Sequence, residues 1–311
     1  MKKFNFSYDL TGLSNYTDEV GGQLISQAVL SSADMGFLNV IPGVKSKQAL
    51  NILTSDIVVT DGNACGFSPD AGTDTTFTQR VLEVASKTYQ ESLCPQTLNT
   101  TYQGMLLNAG STNEELPYEE AILGLKVKQI SDYNAKLIFT ATDAVDGFDG
   151  FKVLTSSATA GVIVPAGLPA YSSATALETV DALIEALPQD VQDREDLIVA
   201  MSWANYRAYI VGLRNANFYE AAYSPEDGEK VVFHPGTKVI VRPFAGLQGS
   251  GRIFLTYSEN LAVGVDLLSD EDTINAWYSM DNQEVRMVSR WKIGAQVAFP
   301  GNIVSNDVAL Y

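Results

Sequence analysis

The feature that most constrains this chain is a pair of β-forming stretches on either side of a turn-rich segment. Residues 44–60 and 75–84 are rich in strand-forming side chains. The segment between them contains the turn-forming residues Gly62, Gly66, Pro69 and Gly72. The pattern predicts a long hairpin with its tip at residues 61–76. Phe77, Val81 and Val84 of the second stretch would fit one face of a helix just as well, so a helix there is the alternative. Because an isolated two-stranded ribbon is marginally stable in water, such a hairpin is expected to lie on a neighbouring subunit.

Charge is the second constraint, because the chain is acidic and sparsely charged. Its 311 residues include 37 Asp and Glu against 20 Lys and Arg, which gives a formal net charge of −17 at pH 7. Charged residues make up 18% of the chain, below the roughly 25% of an ordinary soluble domain. Phosphate contacts need clustered basic residues, so gripping nucleic acid is not expected as the primary task. Few charges, 46% hydrophobic residues and 14 tyrosines favour a subunit whose surface is largely converted into interfaces.

Histidine and cysteine, the usual zinc ligands, are scarce in this chain. One histidine, His234, and two cysteines, Cys65 and Cys94, cannot supply a four-ligand His/Cys zinc site from one chain. The two cysteines could form one bridge, but free buried thiols in a reducing cytoplasm are the expected state. The N-terminus has no apolar stretch of the kind found in signal peptides, and no run is long enough to cross a membrane, so a soluble protein is expected. The sequence predicts no catalytic residue, no cofactor and no metal site.

Three motifs invite a functional interpretation, and turn or loop structure explains each one better. The glycine-rich loop at 246–251 lies between two predicted strands, so a flexible hairpin loop is expected there, not a phosphate site. No nucleophile motif accompanies His234, and a position in a turn is expected for it. Aspartates at positions 143, 146 and 149 recur every third residue, which is not the spacing of a calcium loop, so turn chemistry is expected.

Helix and strand signals alternate irregularly through the rest of the chain. A helix over 118–137 keeps a 3.6-residue apolar period, and a second begins at the capping box formed by Thr175 and Glu178. A short buried strand over 197–201 leads to Ser202, which is predicted to cap a third helix. Further strands are predicted over residues 231–233, 237–241, 253–256, 261–265, 285–289 and 292–299. This order predicts an α+β protein with no βαβ rhythm.

The order of elements resembles the major capsid proteins of tailed bacteriophages, which have the Hong Kong 97-type fold. The similarity lies in IPGVKSKQALNIL before the hairpin, in TALETVDALIEALPQDVQDREDLIVAMSWANYRAYIVGLRNAN, and in GRIFLTYSENLAVGVDLLSDEDTINAWYSMDNQEVRMVSRWKIGAQVAFPGNIVSND. The resemblance implies an N-terminal arm over 1–44, an extended E-loop hairpin over 45–88, a peripheral P-domain with a long spine helix over 89–150 and 285–311, and an axial A-domain over 151–284.

The same resemblance implies a function. It predicts a structural protein, not an enzyme, that self-assembles into pentamers and hexamers of an icosahedral head enclosing double-stranded DNA without binding it sequence-specifically. The implied location is the virion, after assembly in the bacterial host cytoplasm; any scaffolding, portal or decoration protein would be separate from this chain. Some relatives cross-link through a lysine in the E-loop, but Lys45 and Lys47 lie at the base of this one and its tip has none.

Two alternatives stay open at this point. An encapsulin-type compartment shell shares the resemblance but encloses protein cargo. A soluble hydrolase or ligand-binding protein with a pocket near His234 would belong to a different class.

Overall fold

A computed structural model describes residues 37–56, 74–93, 118–217, 232–266, 275–282 and 284–307. Most of the predicted N-terminal arm, most of the predicted hairpin tip and both cysteines lie outside the described residues. The described parts combine helices with sheets, so the prediction of a mixed helix-and-sheet protein is confirmed.

The elements run in the following order. The strands are β1 (Asn39–Pro42), β2 (Lys47–Asp56), β3 (Asp74–Glu83), β4 (Ala85–Leu93), β5 (Leu197–Met201), β6 (Val232–Phe233), β7 (Ile240–Pro243), β8 (Phe254–Tyr257), β9 (Leu261–Val265), β10 (Asn275–Ser279), β11 (Glu284–Val297) and β12 (Val304–Ser305). The helices are α1 (Tyr118–Thr140), α2 (Asp143–Asp146), α3 (Phe151–Leu154), α4 (Ala176–Glu185), α5 (Gln189–Gln192) and α6 (Trp203–Asn215). The predicted helix over 118–137 is confirmed as α1 and continues to Thr140.

The first sheet is organised around the long strand β11. This strand pairs antiparallel with β4 along one edge and with β9 and β10 along the other, and β1 runs parallel to β9. Alternate residues of β11, including Met287, Trp291 and Ile293, are buried in one core with residues of α1. Trp291 Nε1 donates a hydrogen bond to Asn134 Oδ1 of α1 at 2.9 Å. The indole N–H of Trp291 is therefore satisfied inside the core between this sheet and α1.

The second sheet has β5 at its centre and the strand order β12, β8, β5, β7, β6. Every residue of β5 is buried, which its unbroken apolar sequence LIVAM predicts. Helices α4 and α6 cover the sheet, and Val180, Leu183, Tyr209 and Leu213 pack with its strands in a second core. β5 and β7 are parallel and α6 lies between them in the chain, so this pair forms a single βαβ unit in a chain predicted to have no βαβ rhythm.

Helix α6 begins as predicted, and α4 begins differently. Ser202 Oγ accepts a hydrogen bond from Asn205 N at 3.2 Å, so the predicted N-cap is confirmed. Thr175 makes no such bond to the first turn of α4; its hydroxyl accepts from Ser172 N at 3.0 Å and donates to Ala170 O at 2.8 Å. The side chain of Thr175 closes the preceding turn, so the predicted capping box is wrong.

The glycine-rich loop is not a hairpin loop. β7 and β8 lie on opposite sides of β5, so the segment between them crosses one end of the sheet. Its 3-10 turn, Ala245–Leu247, packs against α1, where a Cβ at Gly246 would overlap the Phe139 ring and lie 2.8 Å from the Ala135 carbonyl oxygen. The predicted flexibility is therefore wrong at Gly246, because this glycine permits a close approach between the loop and α1.

Candidate functional site

The ribbon formed by β2 and β3 is exposed along most of its length. The two strands make an antiparallel sheet of their own, in register from Lys47 opposite Glu83 to Asp56 opposite Asp74. The predicted hairpin strands are confirmed, and the alternative of a helix over 75–84 is wrong. Since each strand pairs only with the other among the described residues, the ribbon gains little stability from sheet formation alone.

Paired side chains form a ladder along one face of the ribbon. In order, the cross-strand pairs are Lys47 with Glu83, Ala49 with Val81, Asn51 with Gln79, Leu53 with Phe77, and Ser55 with Thr75. In each of the three polar pairs the two side chains bond each other. Lys47 and Glu83 form an ion pair, and Gln79 Nε2 donates to Asn51 Oδ1 at 2.9 Å. The hydroxyl oxygens of Ser55 and Thr75 are 3.2 Å apart. These polar groups satisfy one another, so covering the face would leave few of them unpartnered.

The apolar pairs of the same face are open to solvent. Leu53 is 59% exposed, Phe77 79% and Val81 43%. On the opposite face, Ile52 and Leu82 are buried. A surface with aromatic and aliphatic side chains between self-satisfied polar pairs is suited to burial against another protein surface.

Two facing glycines let the base of the ribbon cross the first sheet. Gly294 of β11 and Gly264 of β9 are register partners. A Cβ on Gly294 would overlap Glu83 O, and one on Gly264 would lie 2.8 Å from a methyl carbon of Val84. We call these two glycines the glycine seat. Beside them, Gln296 Nε2 donates a hydrogen bond to Val81 O at 2.8 Å. The base of the ribbon is therefore fixed to the sheet by backbone contact that side chains would prevent.

His234 lies in a turn, as predicted, and is also buried. Its backbone nitrogen donates to Val239 O at 2.9 Å and its carbonyl oxygen accepts from Thr237 N at 3.1 Å. The side chain is 4% exposed; Nδ1 lies 2.8 Å from the Tyr209 hydroxyl and Nε2 lies 2.7 Å from Asp181 Oδ1. Because a carboxylate only accepts, the arrangement suits a ring that carries its proton on Nε2 and accepts from Tyr209.

This chain of hydrogen bonds connects three elements. Asp181 is on α4, Tyr209 is on α6, and His234 follows β6. Burial raises the pKa of Tyr209 above its usual range, which keeps the phenol protonated as the donor. Both ring nitrogens already have partners, so the arrangement ties helices to the sheet and leaves no ring nitrogen directed at a substrate.

Asp143 and Asp146 lie in the short helix α2, where only turns were predicted, and Asp146 and Asp149 accept hydrogen bonds from backbone nitrogens. Asp149 Oδ1 accepts from Asp143 N at 2.9 Å, and Asp146 Oδ2 accepts from Thr142 N at 3.3 Å. The other oxygen of Asp146 lies 2.8 Å from Lys87 Nζ, and this hydrogen bond lowers the pKa of Asp146. Across the described ranges, no three His, Cys, Asp or Glu side chains are grouped as metal ligands.

A shallow cleft of about 630 Å³ opens where β1 meets the second sheet. Its lining includes Glu195, Asp196 and Glu259. Arg194 binds Asp196 through two nitrogens at 2.8 Å, which lowers the pKa of Asp196, and binds Glu259 at 2.9 Å. Glu195 pairs with Lys238. Each carboxylate of the cleft is thus held by a cation, which does not favour acid–base catalysis there.

Membrane insertion through a helix finds no support in the described ranges. None of their helices combines the length and the apolar character needed to cross a bilayer.

Comparison with known proteins finds similar chains by structure and none by sequence. No protein-family model matches the sequence, and no curated protein matches it. A chain of the satellite phage P4 procapsid, which includes the size determination (Sid) protein, is 14% identical with a TM-score of 0.58; the match covers 98% of this chain and 93% of that one. A chain of Gordonia phage Cozz is 12% identical with a TM-score of 0.58, over 90% of this chain and 87% of that one.

A virus-like particle from Pyrococcus furiosus has a similar chain. It is 12% identical with a TM-score of 0.51, and the match covers 93% of this chain and 98% of that one. Further similar chains come from the capsid of an empty GTA particle and the capsid of cyanophage P-SCSP1u. At these identities the likeness is one of structure and extends over nearly the whole chain. The chain therefore has the fold of tailed-phage major capsid proteins.

Proposed function

We propose that this chain is a major capsid protein whose copies assemble into pentamers and hexamers of an icosahedral phage head enclosing double-stranded DNA. The observation that carries the proposal is the β2–β3 ribbon, whose one face exposes Leu53, Phe77 and Val81 between polar pairs that satisfy one another. A ribbon of this kind is stabilised when a second subunit covers it. The likeness of the fold to capsid chains supports the proposal, because contacts of this kind would repeat between identical subunits of a closed shell.

The proposal divides the chain into four parts. The arm comprises residues 1–44, the E-loop residues 45–88, the P-domain residues 89–150 and 285–311, and the A-domain residues 151–284. The β2–β3 ribbon supports the E-loop, α1 with the first sheet supports the P-domain, and β5 with α4 and α6 supports the A-domain. Strand pairing favours two smaller adjustments: β4 belongs to the first sheet from Ala85, and β12 pairs with β8 of the second sheet.

In the proposed function the shell encloses DNA without binding it tightly. A net charge of −17 repels phosphate groups, so packaged DNA would not adhere to the inner wall. Portal, scaffolding and decoration functions would come from separate proteins, with assembly in the host cytoplasm before the shell becomes the virion.

Electron microscopy of the full-length chain, expressed with its assembly partners, tests the proposal. Closed shells containing nuclease-protected DNA are expected. Phe77→Asp should reduce the assembled fraction at least about tenfold, because a charge would be buried in a contact centred on an aromatic side chain. The control Phe77→Leu keeps an apolar side chain and should assemble. A wild-type chain that stays a monodisperse monomer in every condition would refute the proposal.

A compartment shell for protein cargo is the second candidate, and the likeness to the Pyrococcus furiosus virus-like particle favours it. The two functions differ in what the purified shells contain. Mass spectrometry of the contents would reveal a stoichiometric cargo protein in a compartment, whereas a phage head contains long nuclease-protected DNA.

A further inference from the structure

Helices α4 and α6 present exposed charges of opposite sign. α4 has three acidic residues, Glu178, Asp181 and Glu185, all exposed, and no basic residue. α6 has two basic residues, Arg207 and Arg214, both exposed, and no acidic residue. Asp181 is bonded to His234, so its carboxylate already has a role within the chain. Glu178 and Glu185 form an acidic stripe, and Arg207 and Arg214 form a basic stripe.

The two stripes have the same spacing. Each consists of two residues seven positions apart, which corresponds to about 10.5 Å along a helix and nearly two full turns. Both members of a stripe therefore lie on the same side of their helix. Two helices that carried these stripes side by side would align both charge pairs at once.

The stripes face away from each other within one subunit. α4 and α6 touch where Gly212 approaches Ser173 O and Ala176. Successive residues of a helix are turned by about 100° around its axis. By this rotation Arg207 and Arg214 lie on the side of α6 opposite Gly212. Glu178 and Glu185 likewise lie on the side of α4 opposite Ala176. In the second sheet, α4 contacts β8 and β12 while α6 contacts β7, on opposite sides of β5. The acidic and basic stripes therefore point toward opposite flanks.

No ion pair within the described part of the chain involves either stripe. Near these helices, the ion pairs join Arg194 to Asp196 and Glu259, Lys238 to Glu195, and His234 to Asp181 when the ring is protonated. Opposite charges at equal spacing on opposite flanks are what a head-to-tail contact between identical subunits requires, since such a contact joins two different surfaces of the same chain.

We propose that the acidic stripe of α4 in one copy of this chain pairs with the basic stripe of α6 in the next copy around each ring. The occupant of each stripe is thus a second copy of the chain. The inference rests on the proposed function and adds the residues that join neighbours within a capsomer. Two arginines on a chain of net charge −17 are a small footprint for nucleic acid, which makes a subunit the better partner.

Charge reversal of full-length protein tests this pairing. Arg207→Glu with Arg214→Glu should lower the fraction in rings and shells at least about tenfold, because like charges would meet across the contact. Glu178→Lys with Glu185→Lys should do the same. All four substitutions in one chain exchange the stripes and should restore assembly. Lys128→Glu with Lys136→Glu, two exposed residues of α1, is the control with the same charge change as the arginine variant and should assemble.

Mixing the two reversed proteins gives a second result that only the pairing predicts. One protein then has two acidic stripes and the other two basic stripes, so they must alternate around a ring. Alternation closes a six-membered ring but not a five-membered one. Hexamers, sheets or tubes are expected by electron microscopy, without closed shells.

The outcomes separate the two levels of the proposal. If the wild-type chain gives neither rings nor shells, the proposed function fails and the pairing with it. If the wild type assembles and the arginine variant assembles equally well, only the pairing is overturned, and loss of bound nucleic acid in that variant would assign the stripe to phosphate. If the fourfold variant shows a native circular dichroism spectrum yet does not assemble, the pairing is also overturned.

Discussion

At the scale of single residues, the most consequential contact is a buried ion pair near the end of the described chain. Arg252 is 2% exposed, and its Nη1 lies 2.8 Å from Asp307 Oδ1 and 3.3 Å from Ser305 Oγ. Hydrogen bonds from Ser157 and from Arg252 lower the pKa of Asp307 to about 2. The pair joins the segment after β12 to the loop before β8 and to the segment after α3.

Asp307→Asn should destabilise the chain by roughly 3 kcal/mol, because the substitution leaves a buried guanidinium without its counter-charge. The pKa of Asp307 is lower in the folded chain than its ordinary value of 3.8. The stabilisation is therefore complete above about pH 4 and is lost as the pH falls toward 2. Thermal unfolding in one assembly state, between pH 6 and pH 3, should show this decline in the wild type and much less of it in the variant. Asp281→Asn, in an exposed turn, is the control and should behave as the wild type.

The hydrogen bonds of His234 give a second prediction at this scale. Tyr209→Phe removes the hydroxyl that Nδ1 accepts from and leaves a buried acceptor without a partner, at a cost of about 1 to 3 kcal/mol. Tyr133→Phe removes a hydroxyl from a side chain that is 49% exposed and should be nearly neutral. Chemical denaturation of both variants measures the difference. Equal stability of the two would show that the Tyr209 bond contributes nothing.

At the scale of elements, the glycine seat is the feature that positions the ribbon. Gly294→Ala should lift the base of the ribbon from the first sheet, because the added methyl would overlap Glu83 O. Hydrogen exchange near Val84, whose amide donates to Ser46 O, should become faster, and limited proteolysis should cleave the β2–β3 region sooner. Gly301→Ala adds the same methyl where no atom lies within 4 Å and should leave both measurements unchanged. Unchanged exchange in the Gly294 variant would contradict the proposed seat.

Elements with strong local signals were predictable, and those that depend on distant partners were not. α1 and β5 follow from their apolar patterns, and β9 was predicted with its observed bounds of Leu261–Val265. β4 was not predicted, because its sequence ASKTYQESL is mostly polar and it becomes a strand only by pairing with β11. β10 was not predicted either, and β11 was predicted as two strands because the charged residue Arg290 separates its apolar positions.

The same distinction applies to the candidate sites. A turn around His234 was predictable from the adjacent Pro235 and Gly236. Its burial was not, since Asp181 and Tyr209 reach it from 53 and 25 residues away. The role of Gly246 was likewise hidden, because α1, which it approaches, is more than a hundred residues away in sequence.

At the scale of the whole molecule, the described chain combines two well-packed cores with an element that packs on neither along most of its length. β5 is buried at every residue, whereas most residues of the β2–β3 ribbon are exposed. The sparse charges of the chain, 18% of its residues, are consistent with surfaces reserved for contacts between copies. Under the proposed assembly, the two cores are complete in the single subunit, and the ribbon is covered only when copies come together.

Hydrogen exchange before and after assembly tests this division. In unassembled protein, amides of β2 and β3 should exchange rapidly, because a two-stranded ribbon opens easily. In shells, their exchange should slow at least about tenfold, since a covered ribbon opens less often. β5 should exchange slowly in both states and serves as the internal control. Ribbon amides that exchange equally fast in both states would mean that the exposed face of Leu53 and Phe77 stays uncovered in the shell, and the assembly contact would then have to lie elsewhere on the subunit.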